Sequence, residues 1–428
     1  MAFFGSSGIR GVIDRKFLEL VFEIGLSVGS SYCPVVVGCD TRTSGSAFKH
    51  AFISAVLAAG SRCYDAGTIP TPTLAYAASK FAAGAMITAS HNPPHYNGIK
   101  LLNPDGSAFD ATQRERIEEM IASRGLGLAS WEDMETSRTY PQAVEEHVER
   151  VLQDFGSGMK LKVVVDCGCG AASLVTPYLL RRMGCEVLAL NCDPSGHFPR
   201  DIEPTLENLG TLVQVVRTTG ADLGIAHDGD GDRMVAIDDA GRFIPGDKLL
   251  ILFAREIGAV QVVTTMDASM VVEESGFEVK RTRVGDAFVS DELKLGGDFG
   301  GEPSGCWIFP NVSYCPEGIY AAAKIIRMAC EKRLTQLIDD LPSYPILRGS
   351  VMGEGVIIDK LEQRLMEMKP ISINTIDGLK LLFDDGWLLI RPSGTEPKIR
   401  LTAEARSEAR AQALYDLGIK AIMECTRK

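Results

Sequence analysis

Val35-Val36-Val37-Gly38-Cys39-Asp40 is a short β-branched run that stops at turn residues. Residues at helical spacing follow (Phe48, Phe52, Ile53, Val56, Leu57), then Ala59-Gly60 and a second short strand from Arg62 to Asp65. Val163-Val164-Val165-Asp166 repeats the plan, with a helix through Leu179 and Leu180, then Met183-Gly184 and a strand from Glu186 to Leu190. Val262-Val263-Thr264-Thr265-Met266-Asp267 repeats it in shortened form. Its helix ends at Ser275-Gly276, ahead of a strand from Glu278 to Thr282. A strand, a helix closed by Gly and another strand make the βαβ pattern, whose crossover demands a mixed or parallel sheet covered by helices. Three such units predict three related α/β domains.

The remainder of the chain differs. From about Pro345 the pattern is short strands and turns: Leu379 to Phe383, the turn Asp385-Gly386, Trp387 to Arg391, and Pro397 to Glu404. A terminal helix follows, with Leu414, Leu417, Ala421 and Ile422 on one face. This predicts a smaller C-terminal α+β domain. The helix Ala143 to Phe155, striped by Val144, Val148, Val151 and Leu152, opens the second domain. The expected domains are residues 1–135, 136–242, 243–342 and 343–428. A chain of 428 residues has room for several domains that each bury a core.

Composition narrows the partners. The formal net charge is −12, so nucleic acid and anionic membrane surfaces repel the chain at long range. An anionic substrate must then be held by a few placed Arg and Lys residues. Charged residues interrupt every apolar run before it reaches the length of a membrane span. Met1 to Gly11 lacks the basic-then-apolar layout of a signal peptide and reads as folded sequence. The eleven cysteines form no C-x-x-C pair; Cys33, Cys39, Cys63, Cys167, Cys185 and Cys192 sit in or beside apolar runs. That usage predicts buried thiols in a reducing, cytoplasmic compartment. The six His are as dispersed as the Cys, which argues against zinc.

Three loops stand out chemically. Asp228-Gly229-Asp230-Gly231-Asp232-Arg233 places three carboxylates at alternate positions of a tight turn, the layout for wrapping a hard divalent cation in oxygen ligands. It is not an EF-hand: Arg233 stands where that loop needs Gly, and Asp239 where it needs Glu. A solvated acidic turn is the plain alternative, but three packed acids between two apolar strands repel strongly without a cation. Thr88-Ala89-Ser90-His91-Asn92-Pro93 follows the apolar run Ala85 to Ile87. It carries no nucleophile elbow, but a phosphorylated Ser90 would bring about −1.5 to −2 charge and suit the metal loop as a further ligand. Arg391-Pro392-Ser393-Gly394-Thr395-Glu396-Pro397 has capping-box spacing, yet the alternating Ile399, Leu401 and Ala403 predict a following strand. A loop of backbone N–H groups and hydroxyls beside an Arg is instead a phosphate cradle. Weaker signals are Gly301-Glu302-Pro303-Ser304-Gly305, whose acceptors suit sugar hydroxyls, and Gly8-Ile9-Arg10-Gly11. Gly168-Cys169-Gly170 with Ser173 falls short of a dinucleotide fingerprint, and there is no Walker A sequence.

Taken in order along the whole chain, these loops resemble the α-D-phosphohexomutase family. The resemblance implies four domains around a central cleft. It implies that Ser90 is a phosphoserine and that Asp228, Asp230 and Asp232, with its phosphate, hold Mg²⁺. Arg10 and Lys100 would lie beside the transferring group, and Arg233 would line the cleft. Glu302 and Ser304 would grip sugar hydroxyls, while Arg391, Ser393, Gly394 and Thr395 would hold the distal phosphate. The implied reaction passes a phosphoryl group from Ser90 to a hexose phosphate, making a hexose 1,6-bisphosphate that turns around and returns its other phosphate. Two positions depart from several members of the family, which carry His where this chain has Cys306 and Asp286. Lys100 is then the candidate general base.

Val284-Gly285-Asp286-Ala287-Phe288-Val289 and the Glu302 loop look most like the phosphoglucosamine mutase branch, particularly its archaeal-type members. That branch interconverts glucosamine 6-phosphate and glucosamine 1-phosphate; a phosphomannomutase or phosphoglucomutase is the alternative. No residue in the sequence announces a contact to a C2 amine. A non-catalytic, metal-dependent sugar-phosphate binding protein would keep the Asp and Arg loops but have no use for Ser90 beside His91 and Lys100. The expected partner is a small hexose phosphate, with no nucleic acid or membrane, for a monomer or homodimer.

Overall fold

A computed structural model of the chain describes residues 3–5, 8–123, 125–352, 358–392 and 398–425. The three repeated units build sheets with one common core. In the first, Val35–Cys39 lies between Cys63–Thr68 and Ala83–Ile87, all parallel, and Tyr96–Leu102 returns antiparallel to Ala83–Ile87. In the second, Lys162–Asp166 lies between Glu186–Leu190 and Leu223–His227, with Met234–Ile237 returning antiparallel. The third repeats this with Gln261–Thr265, Glu278–Thr282, Phe299–Gly301 and the returning Trp307–Ile308. The first sheet alone is extended, by Ile9–Val12 beside Tyr96–Leu102 and by Arg138–Thr139 beside Cys63–Thr68.

The valine runs occupy the middle of each sheet because a central parallel strand is covered on both faces and needs apolar residues throughout. Val35, Val36 and Val37 are fully buried, as are Val163, Val164 and Val165. The common core has a functional consequence. In each unit the third strand turns into the fourth at the carboxyl end of the parallel strands, the end at which open α/β sheets bind ligands. Those three turns are residues 88–95, 228–233 and 302–306, the serine, aspartate and glutamate loops singled out above.

The fourth unit is an antiparallel sheet of Ile346–Met352, Lys398–Ala405, Gly386–Pro392, Leu379–Phe383 and Ser372–Asn374, in that order, with the helix Glu408–Glu424 packed on it. Two expectations shift here and in the third unit. The third crossover carries only a single 3₁₀ turn, Glu273–Ser275, where the sequence predicted a helix. Leu417 is exposed while Leu414, Ala421 and Ile422 are buried. Gly418 takes the inward position beside it, where an added Cβ would sit 2.6 Å from a Leu401 methyl. Cys33 also departs from expectation: it is exposed, just before the strand Val35–Cys39 begins, whereas Cys39, Cys63, Cys167 and Cys185 are buried. Among the described residues no helix is long and apolar enough to cross a membrane.

The second and third units share one hydrophobic core, running from Val148 and Val165 through Leu249 and Phe253 to Phe299 and Trp307. Phe253 stands edge-on to Phe299, Trp307 and Phe309. Phe253→Ala should therefore cost about 3–5 kcal/mol. Urea unfolding should also show both units melting in one transition; separate melting of the third unit would contradict the shared core.

Candidate active site

The site is built where the three turns meet. Ser90 opens from a backbone in the left-handed region, φ 50°, an unfavourable conformation for a residue with a Cβ. Two groups hold it there. Its N–H donates to Thr88 Oγ1 at 2.8 Å, and Thr88 Oγ1 donates to Asp40 Oδ2 at 2.6 Å. The Arg42 guanidinium, paired with Asp40 at 3.1 Å, donates to the carbonyls of Ser90 (2.9 Å), Asn92 (2.6 Å), Pro93 (2.8 Å) and Tyr96 (3.1 Å). Its Nε donor thus goes to Asp40, and its remaining donors go to the serine loop and the first residue of the strand that follows. Burial pushes the Asp40 carboxyl up to about 6 despite the guanidinium beside it. Asp40 and Arg42 were not singled out from the sequence; a charged pair at the end of a valine strand was the available signal.

The Ser90 carbonyl also packs on the aspartate loop: a Cβ on Gly229 would lie 2.6 Å from it. This close approach explains why glycine separates the carboxylates. Ser90 Oγ donates to Asp228 Oδ2 at 2.9 Å. Asp228 Oδ1 accepts the N–H groups of Gly231 and Arg233 at 3.1 and 3.2 Å. Lys100, reaching over from the first sheet, donates to Asp230 Oδ2 at 2.7 Å and Asp232 Oδ2 at 2.5 Å. Thr71, the first residue of the helix Thr71–Ala78, donates its hydroxyl to the same Asp230 oxygen at 2.6 Å.

Asp230 and Asp232 are therefore tied to the protein while keeping an oxygen for something else: among the described residues, the buried Oδ1 of each has no hydrogen-bond partner. Both oxygens of Asp228 are engaged, one by the backbone of its own loop and the other by Ser90. One oxygen from each of Asp228, Asp230 and Asp232 lies within 4.8 Å of the others. Burial and the two neighbouring carboxylates push Asp228 well above the usual range. Burial opposes the charge on Asp230 too, but Lys100 and the Thr71 hydroxyl outweigh it and hold that carboxyl below its ordinary value. The trio is short of positive charge, and hard oxygen donors of this kind fit a divalent cation such as Mg²⁺.

Lys100 itself does not fit the role of a base. Burial works against its charge, yet Asp230 and Asp232 prevail and hold its ammonium well above the ordinary value. It is a fixed positive charge and a donor. Arg10 donates to Asn92 Oδ1 at 2.8 Å, which aims it across the serine loop. Arg233 pairs with Glu203 at 2.8 Å and keeps a buried Nε without a partner. His91, whose Nδ1 lies 3.3 Å from Ser90 Oγ, reports the resulting field: Arg233, burial and Arg10 hold its pKa well below the ordinary value, so the ring is neutral.

The glutamate loop is joined to the aspartate loop by a bridge between Arg233 and Cys306 and by the bond from Met234 N–H to the Gly305 carbonyl at 2.9 Å. Glu302 accepts from Gly285 N–H at 2.7 Å and from Ser304 Oγ at 2.9 Å. Burial, then the Asp286 and Asp267 charges, push Glu302 up to about 7. Farther along the cleft, Arg391 lies 3.8 Å from Asp377, which accepts from Val284 N–H at 3.1 Å. Arg348, Arg391 and Arg400 line an open cavity of ≈ 290 Å³ together with Asp267, whose carbonyl accepts from Arg348 at 3.4 Å. Arg391 and Arg400 are directly paired across adjacent strands, a like-charge arrangement that favours a bound anion. Ser393, Gly394 and Thr395 lie outside the described residues.

Comparison with known proteins follows the same four-part division. Family models described as phosphoglucomutase/phosphomannomutase alpha/beta/alpha domains I, II and III match residues 1–126, 139–241 and 245–344. The model of the C-terminal domain matches residues 355–417. A "Probable phosphoglucosamine mutase" of Methanocella arvoryzae is 49% identical over 99% of both chains. One of the same name from Methanococcoides burtonii is 47% identical over 96% of both. A solved structure of a phosphoglucomutase/phosphomannomutase family protein from Burkholderia thailandensis superposes with a TM-score of 0.88 at 28% identity, covering 99% of this chain and 97% of that one.

Two measurements check the site's construction. Arg42→Lys keeps the charge but loses the planar fork, so it should cost at least about 3 kcal/mol and speed amide exchange across residues 88–98. Glu302 binds its proton more tightly when folded, so it makes stability fall as pH rises from about 4.5 to about 7. Glu302→Gln should flatten that part of the stability profile by up to roughly 3 kcal/mol, measured by urea unfolding at pH 4.5 and 7.5. An unchanged slope would show that Glu302 does not titrate in this window.

Proposed function

The chain belongs to the phosphoglucomutase/phosphomannomutase family, and on that premise we propose that it interconverts glucosamine 6-phosphate and glucosamine 1-phosphate through a phosphoserine at Ser90. One observation carries the chemistry. The Ser90 hydroxyl donates to Asp228 of a buried carboxylate trio that is itself short of cationic charge and in which Asp230 and Asp232 each keep an oxygen without a partner among the described residues. The amino sugar follows from the relatives, which carry that activity in their names at up to 49% identity over 99% of both chains.

In this reading a hexosamine monophosphate enters with one end toward Ser90. The P–O bond to Ser90 Oγ breaks as a bond forms from phosphorus to the sugar hydroxyl oxygen, whose proton ends on the departing Ser90 Oγ, giving a 1,6-bisphosphate. After it turns, the other phosphoryl group returns to Ser90 Oγ. Asp228, Asp230 and Asp232 would hold Mg²⁺, Asp230 and Asp232 through the oxygens that have no partner and Asp228 through the oxygen that Ser90 now bonds. When bound, the metal supplies positive charge to the phosphoryl oxygens. Lys100, Arg10 and Arg233 add fixed charge on the other sides, where phosphoryl transfer needs neutralisation more than covalent help. Lys100 also holds Asp230 and Asp232 apart from one another's charge, so the trio stays assembled between turnovers. Glu302 and Ser304 accept and donate to ring hydroxyls. Arg391, joined by Arg348 and Arg400, takes the far phosphate together with Ser393, Gly394 and Thr395. A ligand that must present either end to Ser90 suits a cleft whose two phosphate sites lie on different units.

Ser90→Ala should remove turnover, with kcat down at least about 10⁴-fold, while Mg²⁺ still raises the melting temperature. The assay pairs purified phosphorylated protein with Mg²⁺, a hexose 1,6-bisphosphate activator and glucosamine, glucose or mannose 1-phosphate. Preference for glucose or mannose would move the protein to the phosphoglucomutase/phosphomannomutase reading. Absence of any turnover by wild-type protein, with Mg²⁺ still bound, would favour a sugar-phosphate binding protein.

A further inference from the structure

Asp286 is the first residue of the helix Asp286–Leu295 and stands beside the glutamate loop, since the preceding Gly285 N–H donates to Glu302. Its neighbours are fixed by whom its charge reaches: it raises the pKa of Lys100, Asp232, Glu302 and Cys306. With Lys100, Asp232 and Ser290 it borders a small cavity between the first and third units. Ser290 Oγ is buried there without a partner.

The other acids of the cleft are engaged. Asp230 and Asp232 hold Lys100, Glu203 holds Arg233, Asp377 faces Arg391, and Asp267 accepts from Thr265. Glu302 is bonded on both oxygens. The Asp286 carboxylate makes no hydrogen bond and no ion pair among the described residues, although it is half-buried amid strong charges. A carboxylate held in that position without a cation is a site for one from the substrate.

We infer that Asp286 selects the amino sugar, its carboxylate pairing with the C2 ammonium of the hexosamine phosphate. The inference rests on the hexosamine phosphate reading above. An amine of this kind is cationic up to about pH 8, as an α-amino group is. A C2 hydroxyl offers the same carboxylate only a neutral hydrogen bond, roughly half as strong. The remaining lining works in the other direction: Arg10, Lys100 and Arg233 repel an ammonium and leave a hydroxyl unaffected. Removing the Asp286 charge therefore penalises glucosamine phosphate specifically.

The test is the ratio of kcat/KM for glucosamine 1-phosphate to that for glucose 1-phosphate, in wild-type protein and in Asp286→Asn. The ratio should fall at least about tenfold in Asp286→Asn and recover in part in Asp286→Glu. A merely structural role would lower both substrates alike and leave the ratio unchanged; that result overturns the assignment. Should Asp286→Asn fail to fold, wild-type protein still decides the matter. Its ratio should fall about tenfold per pH unit above pH 8 as the ammonium loses its proton, and a flat ratio overturns the assignment. A wild-type preference for glucose 1-phosphate overturns the amino-sugar reading and Asp286 with it. Wild-type preference for glucosamine that survives in Asp286→Asn overturns Asp286 alone.

Discussion

Everything at the centre of this molecule depends on how three carboxylates are kept together out of water. Asp228, Asp230 and Asp232 are buried in one tight turn, where like charges cost most. The protein meets that cost with a lysine from another sheet. Lys100 spans to Asp230 and Asp232, so the first and second units cannot separate without stranding either a buried ammonium or two buried carboxylates. The contact that makes the turn tolerable is the same contact that brings Ser90 to it. Stability and chemistry are here the same interaction.

Repetition explains how the remaining parts arrive. Each α/β unit turns from its third strand into its fourth at the carboxyl end of its parallel strands. The three turns are topologically the same element, specialised with a serine, an aspartate trio and a glutamate. Packing the units around one cleft presents all three turns to it at once. Small residues make the close approach possible: Gly229 lies under the Ser90 carbonyl, and a Cβ on Gly170 would lie 2.7 Å from the Gly229 carbonyl. The fourth unit brings Arg348, Arg391 and Arg400 on an antiparallel sheet to a cavity that they share with Asp267 of the third unit.

The buried polar groups divide into those whose needs are met inside the protein and those left open. Arg42, anchored through its Nε to Asp40, spends its other donors on the carbonyls of residues 90–96 and is a positioning residue. His227, whose ring bonds Thr176 and the Arg233 carbonyl, is held neutral by burial, down to about 4. The open groups are different. The free oxygens of Asp230 and Asp232, the Arg233 Nε and the unpaired Asp286 carboxylate all lie around Ser90 and the glutamate loop. Elsewhere His147 Nε2 and Glu317 Oε1 lack a hydrogen bond but lie 3.3 Å from each other, and Ser173 Oγ is buried without one among the described residues. The unmet groups around Ser90 are the charged ones that face no such partner, and they mark where a ligand completes the structure.

Much of this was legible in the sequence, for physical reasons that can be named. Valine runs closed by Gly and Asp specify central parallel strands, because only a strand covered on both faces is apolar throughout. The helix Ala143–Phe155 and the strands Glu186–Leu190, Glu278–Thr282 and Leu379–Phe383 follow from local periodicity alone. The aspartate loop was legible because its carboxylates are adjacent in the chain. Partnerships across units were not. Nothing local to Lys100 says that it faces Asp230, 130 residues away, and so is a fixed cation and not a base. The Arg42 clamp, the Thr71 bond and the arginines at 348 and 400 likewise exist only once the sheets are stacked. Asp286 is the sharpest case. In sequence it was a departure from a familiar pattern; in the fold it is the carboxylate that no other described residue of the cleft pairs. Periodicity and turn chemistry are written over a few neighbouring residues, whereas burial and charge pairing are decided by whichever distant segments folding brings together.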